Sequence, residues 1–163
     1  MGAVIAQNIV TALRAHTTLT LAYTDAEGPQ ACAVLYAVTA ESSLVFVTSP
    51  TTRHGRALSA GPATAETPET PVAFTVQADG QEWTTLTGVQ GRGRVRRLAE
   101  GSVERAAGWA AYTERFPFVT QDARLGAALA ATALWELRPD WLRLIDNGLE
   151  FGWKEEWPGP ARG

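Results

Sequence analysis

The stretch Ser43-Leu44-Val45-Phe46-Val47-Thr48-Ser49-Pro50-Thr51-Thr52-Arg53-His54 decides how the rest of the chain is read. Leu44 to Val47 is a short apolar run of branched and aromatic residues, the pattern of a strand buried on both faces. Ser49-Pro50 stops it. Thr51 or Thr52 can then cap a helix carrying Arg53, His54, Arg56, Ala57 and Leu58. A strand, a hydroxyl-rich turn and a helix start with an arginine form an anion site. The first N–H groups of the helix are free, its dipole favours negative charge, and a guanidinium grips two oxygens of a phosphate. An ordinary capped turn with a solvated arginine has the same residues, so the stretch alone leaves both readings open.

Outward from that strand, hairpins appear on both sides. Upstream, Leu19–Thr24 and Gln30–Val38 read as two strands joined by the turn Asp25-Ala26-Glu27-Gly28-Pro29. With the central strand they make a three-stranded antiparallel meander. Before them, Ile5, Ile9 and Leu13 recur at every fourth position, predicting an amphipathic helix over about Ala3–Ala15. Downstream, the proline-rich segment from Gly61 to Pro71 reads as an exposed loop, followed by a strand over Val72–Gln77. A long strand is predicted over Trp83–Arg97, with Gly88, Gly91 and Gly93 marking bulges or a close approach. Arg92, Arg94 and Arg96 alternate onto one face of it, most simply a solvated face partly paired with carboxylates.

Two helices are predicted next, Glu100–Arg115 and Asp122–Ala131. The first is expected to bury Val103, Ala106, Ala107, Ala110 and Ala111. Trp135–Leu137 and Trp141–Asp146 read as strands. Asn147-Gly148 then reads as a type I′ hairpin turn, returning a strand with Leu149, Phe151 and Trp153 on one face.

The 163 residues suit one domain, with an N-terminal helix over 1–16, a β body over 17–157 and a tail over 158–163. A 45% hydrophobic and 19% charged composition is that of a globular protein, and no apolar run is long enough for a membrane helix. The net charge of −3 and the lack of interleaved aromatics argue against nucleic acid. Cys32, the single cysteine, reads as a buried structural thiol, and no secretion signal is visible. A cytoplasmic protein is therefore expected. Five of the six tryptophans fall at Trp109 or later, suggesting a core, an interface or a flat-ligand site at that end. No metal-ligand cluster, nucleophile elbow or P-loop is present, and Gly88-x-x-Gly91-x-Gly93 lacks the dinucleotide spacing. Any redox chemistry would come from a cofactor.

The segment from Val45-Phe46-Val47-Thr48 to Thr52-Arg53-His54, followed by Gly88-Val89-Gln90-Gly91, resembles the pyridoxamine 5′-phosphate oxidase-like, FMN-binding split-barrel proteins. The resemblance runs from about Leu19 to Trp157. It is most similar to a small, uncharacterised bacterial branch of that superfamily. The marks of that branch are Thr52-Arg53-His54, Gly88-Val89-Gln90, Arg115-Phe116-Pro117, Asp146-Asn147, Leu149, Phe151-Gly152, Lys154 and Trp157. The resemblance implies an antiparallel split β-barrel with peripheral helices, a homodimer, and FMN at its interface. By position, Val47 and Thr48 would touch the flavin or its ribityl chain, while Thr52 and Arg53 would hold the phosphate. His54 stands where the family has lysine. The backbone of Tyr36 and Ala37 would run beside the ring, Gln90 would reach it from the other chain, and Lys154 or Trp157 would approach it from the C-terminal side. Ala37 replaces a basic residue of the family, and the family's glutamine falls at Gly88, two positions and thus one same-face step from Gln90. No residues matching the family's substrate site are found, so the implied activity is an FMN-dependent oxidoreductase acting on an unknown small molecule. The alternatives are a non-enzymatic flavin- or haem-binding protein for storage or sensing, and a deazaflavin-dependent reductase.

Overall fold

The computed structural model describes residues 4–61 and 67–158. Seven strands form one antiparallel sheet: β1 (Thr18–Asp25), β2 (Gly28–Val38), β3 (Leu44–Thr48), β4 (Thr70–Gln77), β5 (Thr87–Arg97), β6 (Ala133–Asp146) and β7 (Lys154–Trp157). Their order is β3-β2-β1-β4-β5-β6-β7, and β3 also pairs with β6, which closes the sheet into a barrel. β2 meets β3 only over Tyr36–Val38, so the barrel is split along the first half of β2.

Alternation fills the interior. Leu19, Leu21, Tyr36, Phe46, Phe74, Val89, Trp135 and Leu142 are among the side chains packed there. Helix α1 (Gln7–Ala15) adds Ile9 and Leu13, both fully buried, which realises the four-residue spacing seen in the sequence. β3 is apolar on both faces because its outer side is covered too. Val45 packs with Ala37, Leu98, Leu134 and Tyr112 beneath α3 (Val103–Arg115), and Phe116 and Val119 extend this second core into α4 (Phe118–Gln121).

The strand glycines answer to close approach. A Cβ on Gly91 would lie 2.2 Å from the ring of Phe74, its partner across β4. A Cβ on Gly93 would lie 2.3 Å from the Arg138 carbonyl oxygen, where the β5–β6 register shifts.

Five local expectations are corrected. Trp83–Thr85 forms a 3-10 turn, so β5 begins at Thr87. α3 buries Gly108 and Tyr112, not the alanine face: Val103 is 83% exposed, and Ala106, Ala107 and Ala110 are exposed. Gly108 lets the helix lie directly on the sheet, since a Cβ there would already be 3.2 Å from Val45 and Leu134. The segment Asp122–Ala131 is not one helix. Asp122 accepts a hydrogen bond from the Arg124 N–H and caps a 3-10 turn (Ala123–Leu125), and a short α5 (Gly126–Ala130) follows. β6 runs unbroken through Pro139, which carries no N–H and sits opposite the bulged Gly93 where the ladder needs none.

The fifth correction concerns the last hairpin. Neither Asn147 nor Gly148 takes a positive φ, so the turn is not type I′. Asp146 Oδ1 accepts from the Gly148 N–H at 2.9 Å, while the Asn147 amide donates to the Trp83 carbonyl and accepts from the Gly152 N–H, each at 2.9 Å. These bonds hold a loop up to Trp153 instead of a returning strand. Leu149 and Phe151 consequently do not pack on the barrel; they are 65% and 66% exposed, with Phe151 edge-on to Trp83.

Among the described residues no helix is long and apolar enough to cross a membrane.

Candidate functional site

The end of β3 and the start of helix α2 (Arg53–Ser59) bring polar groups together. The two are joined by four residues, and Thr52 caps the helix by accepting from the Gly55 N–H at 3.1 Å. The same hydroxyl donates to the Ser49 carbonyl at 2.8 Å. Thr48 Oγ1 lies 2.6 Å from His54 Nε2 and 3.4 Å from Thr52 Oγ1. From the interior, the Trp135 indole N–H donates to the Thr48 carbonyl at 3.1 Å and so fixes the strand end from below. Gly55 is required here, because a Cβ would stand 2.1 Å from the Ser49 carbonyl oxygen. Burial pushes the His54 imidazole below its ordinary pKa and favours its neutral form, which can donate or accept toward Thr48. Two hydroxyls and an imidazole converging on one turn suit an oxyanion such as a phosphate, and Thr48 and Thr52 are those the sequence put forward.

Arg53 leaves the start of α2 but is already engaged. Its Nε donates to Asp25 at 2.6 Å and its terminal nitrogen to Glu27, both from the β1–β2 turn. That turn is tighter than the sequence suggested: Asp25 pairs with Gly28, whose φ of +106° closes it in two residues. The hydrogen bond from Arg53 holds the Asp25 carboxyl below the usual carboxylate range, with the Glu27 backbone N–H adding to it. A cleft of about 550 Å³ opens between this turn and α2, lined by Asp25, Glu27, Arg53 and Arg56. Sequence reasoning assigned Asp25 and Glu27 only to a turn; their alignment with Arg53 depends on the β2–β1 pairing, which local pattern does not report.

The other site residues are distributed over the barrel. Tyr36 and Ala37 are buried on β2; the Tyr36 hydroxyl donates to the Leu13 carbonyl, and its burial raises its pKa. Val47 is half-buried against the outer core under α3. Gln90 is exposed on the outer face of β5, in register with Thr75 and Arg143 and three strands from β2. Lys154 is exposed on β7. Trp157 turns the other way and packs on the barrel core, in register with Leu142 and Gly91. Within one chain, therefore, Thr48, Thr52, Arg53 and His54 form one group, Tyr36, Ala37 and Val47 lie on the neighbouring strands, and Gln90, Lys154 and Trp157 stand apart.

Comparison with known proteins agrees with this architecture. The chain is 37% identical over 90 residues to the UPF0306 protein YhbP of Escherichia coli O157:H7, covering 55% of this chain and 54% of that protein. It thus spans about half the length of the curated relatives it matches. A heme-binding protein from Mycobacterium smegmatis superposes with a TM-score of 0.68 at 21% identity, over 92% of this chain and 56% of that one. A FAD-binding protein from Mesorhizobium loti superposes with a TM-score of 0.61 at 18% identity, over 84% and 91%. At such identities the two structures speak for the fold alone. Residues 5–146 match the pyridoxamine 5′-phosphate oxidase family, and the chain belongs to that family.

Proposed function

We propose that two copies of this chain pair face to face, bind FMN between them, and act as a flavin-dependent oxidoreductase on a small molecule. The observation that carries the reading is the Thr48–Thr52–His54 cluster beside Arg53, at the end of β3 in a chain of this family. Thr48 would donate to the phosphate, with Thr52 turning its hydroxyl from the Ser49 carbonyl to join it and Arg53 exchanging its carboxylates for phosphate oxygens. Tyr36 and Ala37 would line the ring from β2. When bound, the flavin supplies hydride acceptance and donation, and the protein binds it, orients it and keeps water from one face.

The pairing is supported by the outer face of the sheet. Ala33, Thr20, Thr75 and Gln90 lie in one register row, and Ala31, Ala22, Ala73 and Arg92 in the next. A flat patch of small side chains flanked by polar ones suits a two-fold contact, and it would bring Gln90 of one copy toward β2 of the other. A single cysteine with no second thiol to bridge suits a cytoplasmic setting.

Haem is the second reading, favoured by the likeness to the Mycobacterium smegmatis protein over 92% of this chain. The absorption spectrum of the purified protein, with mass identification of any released ligand, separates flavin, deazaflavin and haem. Arg53→Ala tests the phosphate assignment: FMN affinity is expected to fall by roughly tenfold or more while riboflavin is indifferent. Equal losses for both ligands would make the arginine structural.

A further inference from the structure

His54 is the one member of the Thr48–Thr52–His54 cluster whose charge changes in the ordinary pH range. Its Nε2 lies 2.6 Å from Thr48 Oγ1, close enough for one hydrogen to be shared between them. Thr48 is fixed from the other side, where the Trp135 indole N–H donates to its carbonyl. A neutral imidazole can take the Thr48 hydrogen at Nε2. An imidazolium can only donate, so Thr48 Oγ1 must then accept, and its own hydrogen is freed for another acceptor. The direction of this one bond decides whether Thr48 can donate to a ligand.

The surroundings give the imidazole no countercharge of its own. Among the described residues no carboxylate pairs with His54. Asp25 on β1 and Glu27 in the turn beyond it hold Arg53, and Arg56 donates to the Thr51 carbonyl. The Tyr23 ring, also on β1, lies 6.4 Å from the imidazole. Burial keeps Tyr23 and the Cys32 thiol of β2 in their neutral forms. β4 and β5, which also lie against α2, turn Val72, Phe74, Val89 and Val95 inward. Burial accordingly favours the neutral imidazole until an anion arrives.

We infer that oxyanion binding at this cluster is coupled to the uptake of one proton by His54, which acts as a positioning residue through Thr48. The inference rests on the phosphate reading of the cluster, and it does not require that the phosphate belong to a flavin. An oxyanion beside Thr48 supplies the countercharge that favours the imidazolium, and the imidazolium commits the Thr48 hydrogen to the anion. By linkage the anion binds more tightly as pH falls. The gain begins where the liganded imidazole takes up its proton and ends where the free one does. Rising pH therefore releases the ligand.

The test uses sulfate as the probe. Sulfate does not titrate near neutral pH, so any proton taken up belongs to the protein, whereas a phosphate monoester itself titrates at about pH 6. Calorimetry in buffers of differing ionisation enthalpy, with chloride matching the ionic strength, reads the proton directly. Uptake is expected, with affinity about fivefold or more higher at about pH 6 than at about pH 8. In an imidazole NMR titration of the wild type, sulfate should raise the pKa of His54 and leave that of His16, at the end of α1, in place. His54→Gln keeps a donor toward Thr48 without a titrating group, and it should bind sulfate equally at both pH values with no uptake. An unmoved His54 titration, binding without uptake, uptake that persists in His54→Gln, or no sulfate binding overturns the inference. Parallel FMN titrations followed by absorbance keep the two readings separable: sulfate linkage without FMN binding removes only the flavin, and FMN binding without sulfate linkage removes only the proton coupling.

Discussion

Gly55→Ala opposes two effects of different sign. In an isolated helix the change would stabilise by up to about 1 kcal/mol, since alanine loses less backbone freedom. Here the new methyl would stand 2.1 Å from the Ser49 carbonyl oxygen, 2.9 Å from Pro50 Cα and 2.9 Å from Thr52 Oγ1. Two of those atoms are backbone, so no rotamer relieves the clash, and α2 must back away by most of an ångström. That movement pulls the Thr52 cap from the Gly55 N–H, a loss of about 1 kcal/mol. It also strains the Thr52–Ser49 bond, for about 1 kcal/mol more, and loosens Leu58, which is 1% exposed beneath the helix. Adding a typical overpacking cost of about 1–3 kcal/mol and subtracting the propensity gain of about 1 kcal/mol, the expected destabilisation is about 2–4 kcal/mol. Urea unfolding of the wild type, Gly55→Ala and Thr52→Ala measures it, with Thr52→Ala losing the cap and the bond to the Ser49 carbonyl, about 2 kcal/mol together. FMN affinity should fall in Gly55→Ala because Thr48, Thr52 and His54 no longer converge. A variant as stable as the wild type, or more so, would show that the turn is loose and that the cluster is not a built site.

Further outcomes are expected. The burial that lowers the His54 pKa below 6.5 makes stability independent of this group above that pH. As pH falls below 6.5 the unfolded chain takes up the proton first, and stability declines until the folded imidazole is protonated too. His54→Gln should remove part of this slope, and an NMR titration placing His54 at or above 6.5 would contradict it. Asp25→Asn combined with Glu27→Gln releases Arg53 and should tighten FMN binding severalfold without affecting riboflavin; unchanged affinity would mean that the acids do not compete with phosphate. Ala73→Arg, in the middle of the small-residue face, should convert a dimer to a monomer in light scattering, and a wild type that is itself monomeric would remove the face-to-face pairing.

The strands were legible because their signal is local. Leu19, Leu21 and Tyr23 alternate, Leu44 to Val47 is apolar throughout, and the threonines after Pro50 announce a capped helix. The face of α3 was not legible, because Gly108 reads as a weak helix former until Val45 and Leu134 are seen against it. Asn147-Gly148 misled for a related reason: Asn147 spends its amide on Trp83 and Gly152, bonds that appear only once β5 and β6 are paired. Thr48, Thr52 and His54 could be found because they lie within seven residues of sequence. The carboxylates that hold Arg53 come from two strands away, and no local pattern carries that distance.

Among the described residues β7 is the one strand with a single neighbour along its whole length, and it is four residues long, Lys-Glu-Glu-Trp. An unpaired strand border invites another chain to extend the sheet, but so short and charged a border offers little to extend, and each guest strand would meet two glutamates. Stacking of copies into fibres through backbone ladders is thereby discouraged at this border. At this border, assembly is left to side chains on the broad surfaces, where single substitutions can tune or break it, and not to the indiscriminate hydrogen bonding of main chain to main chain.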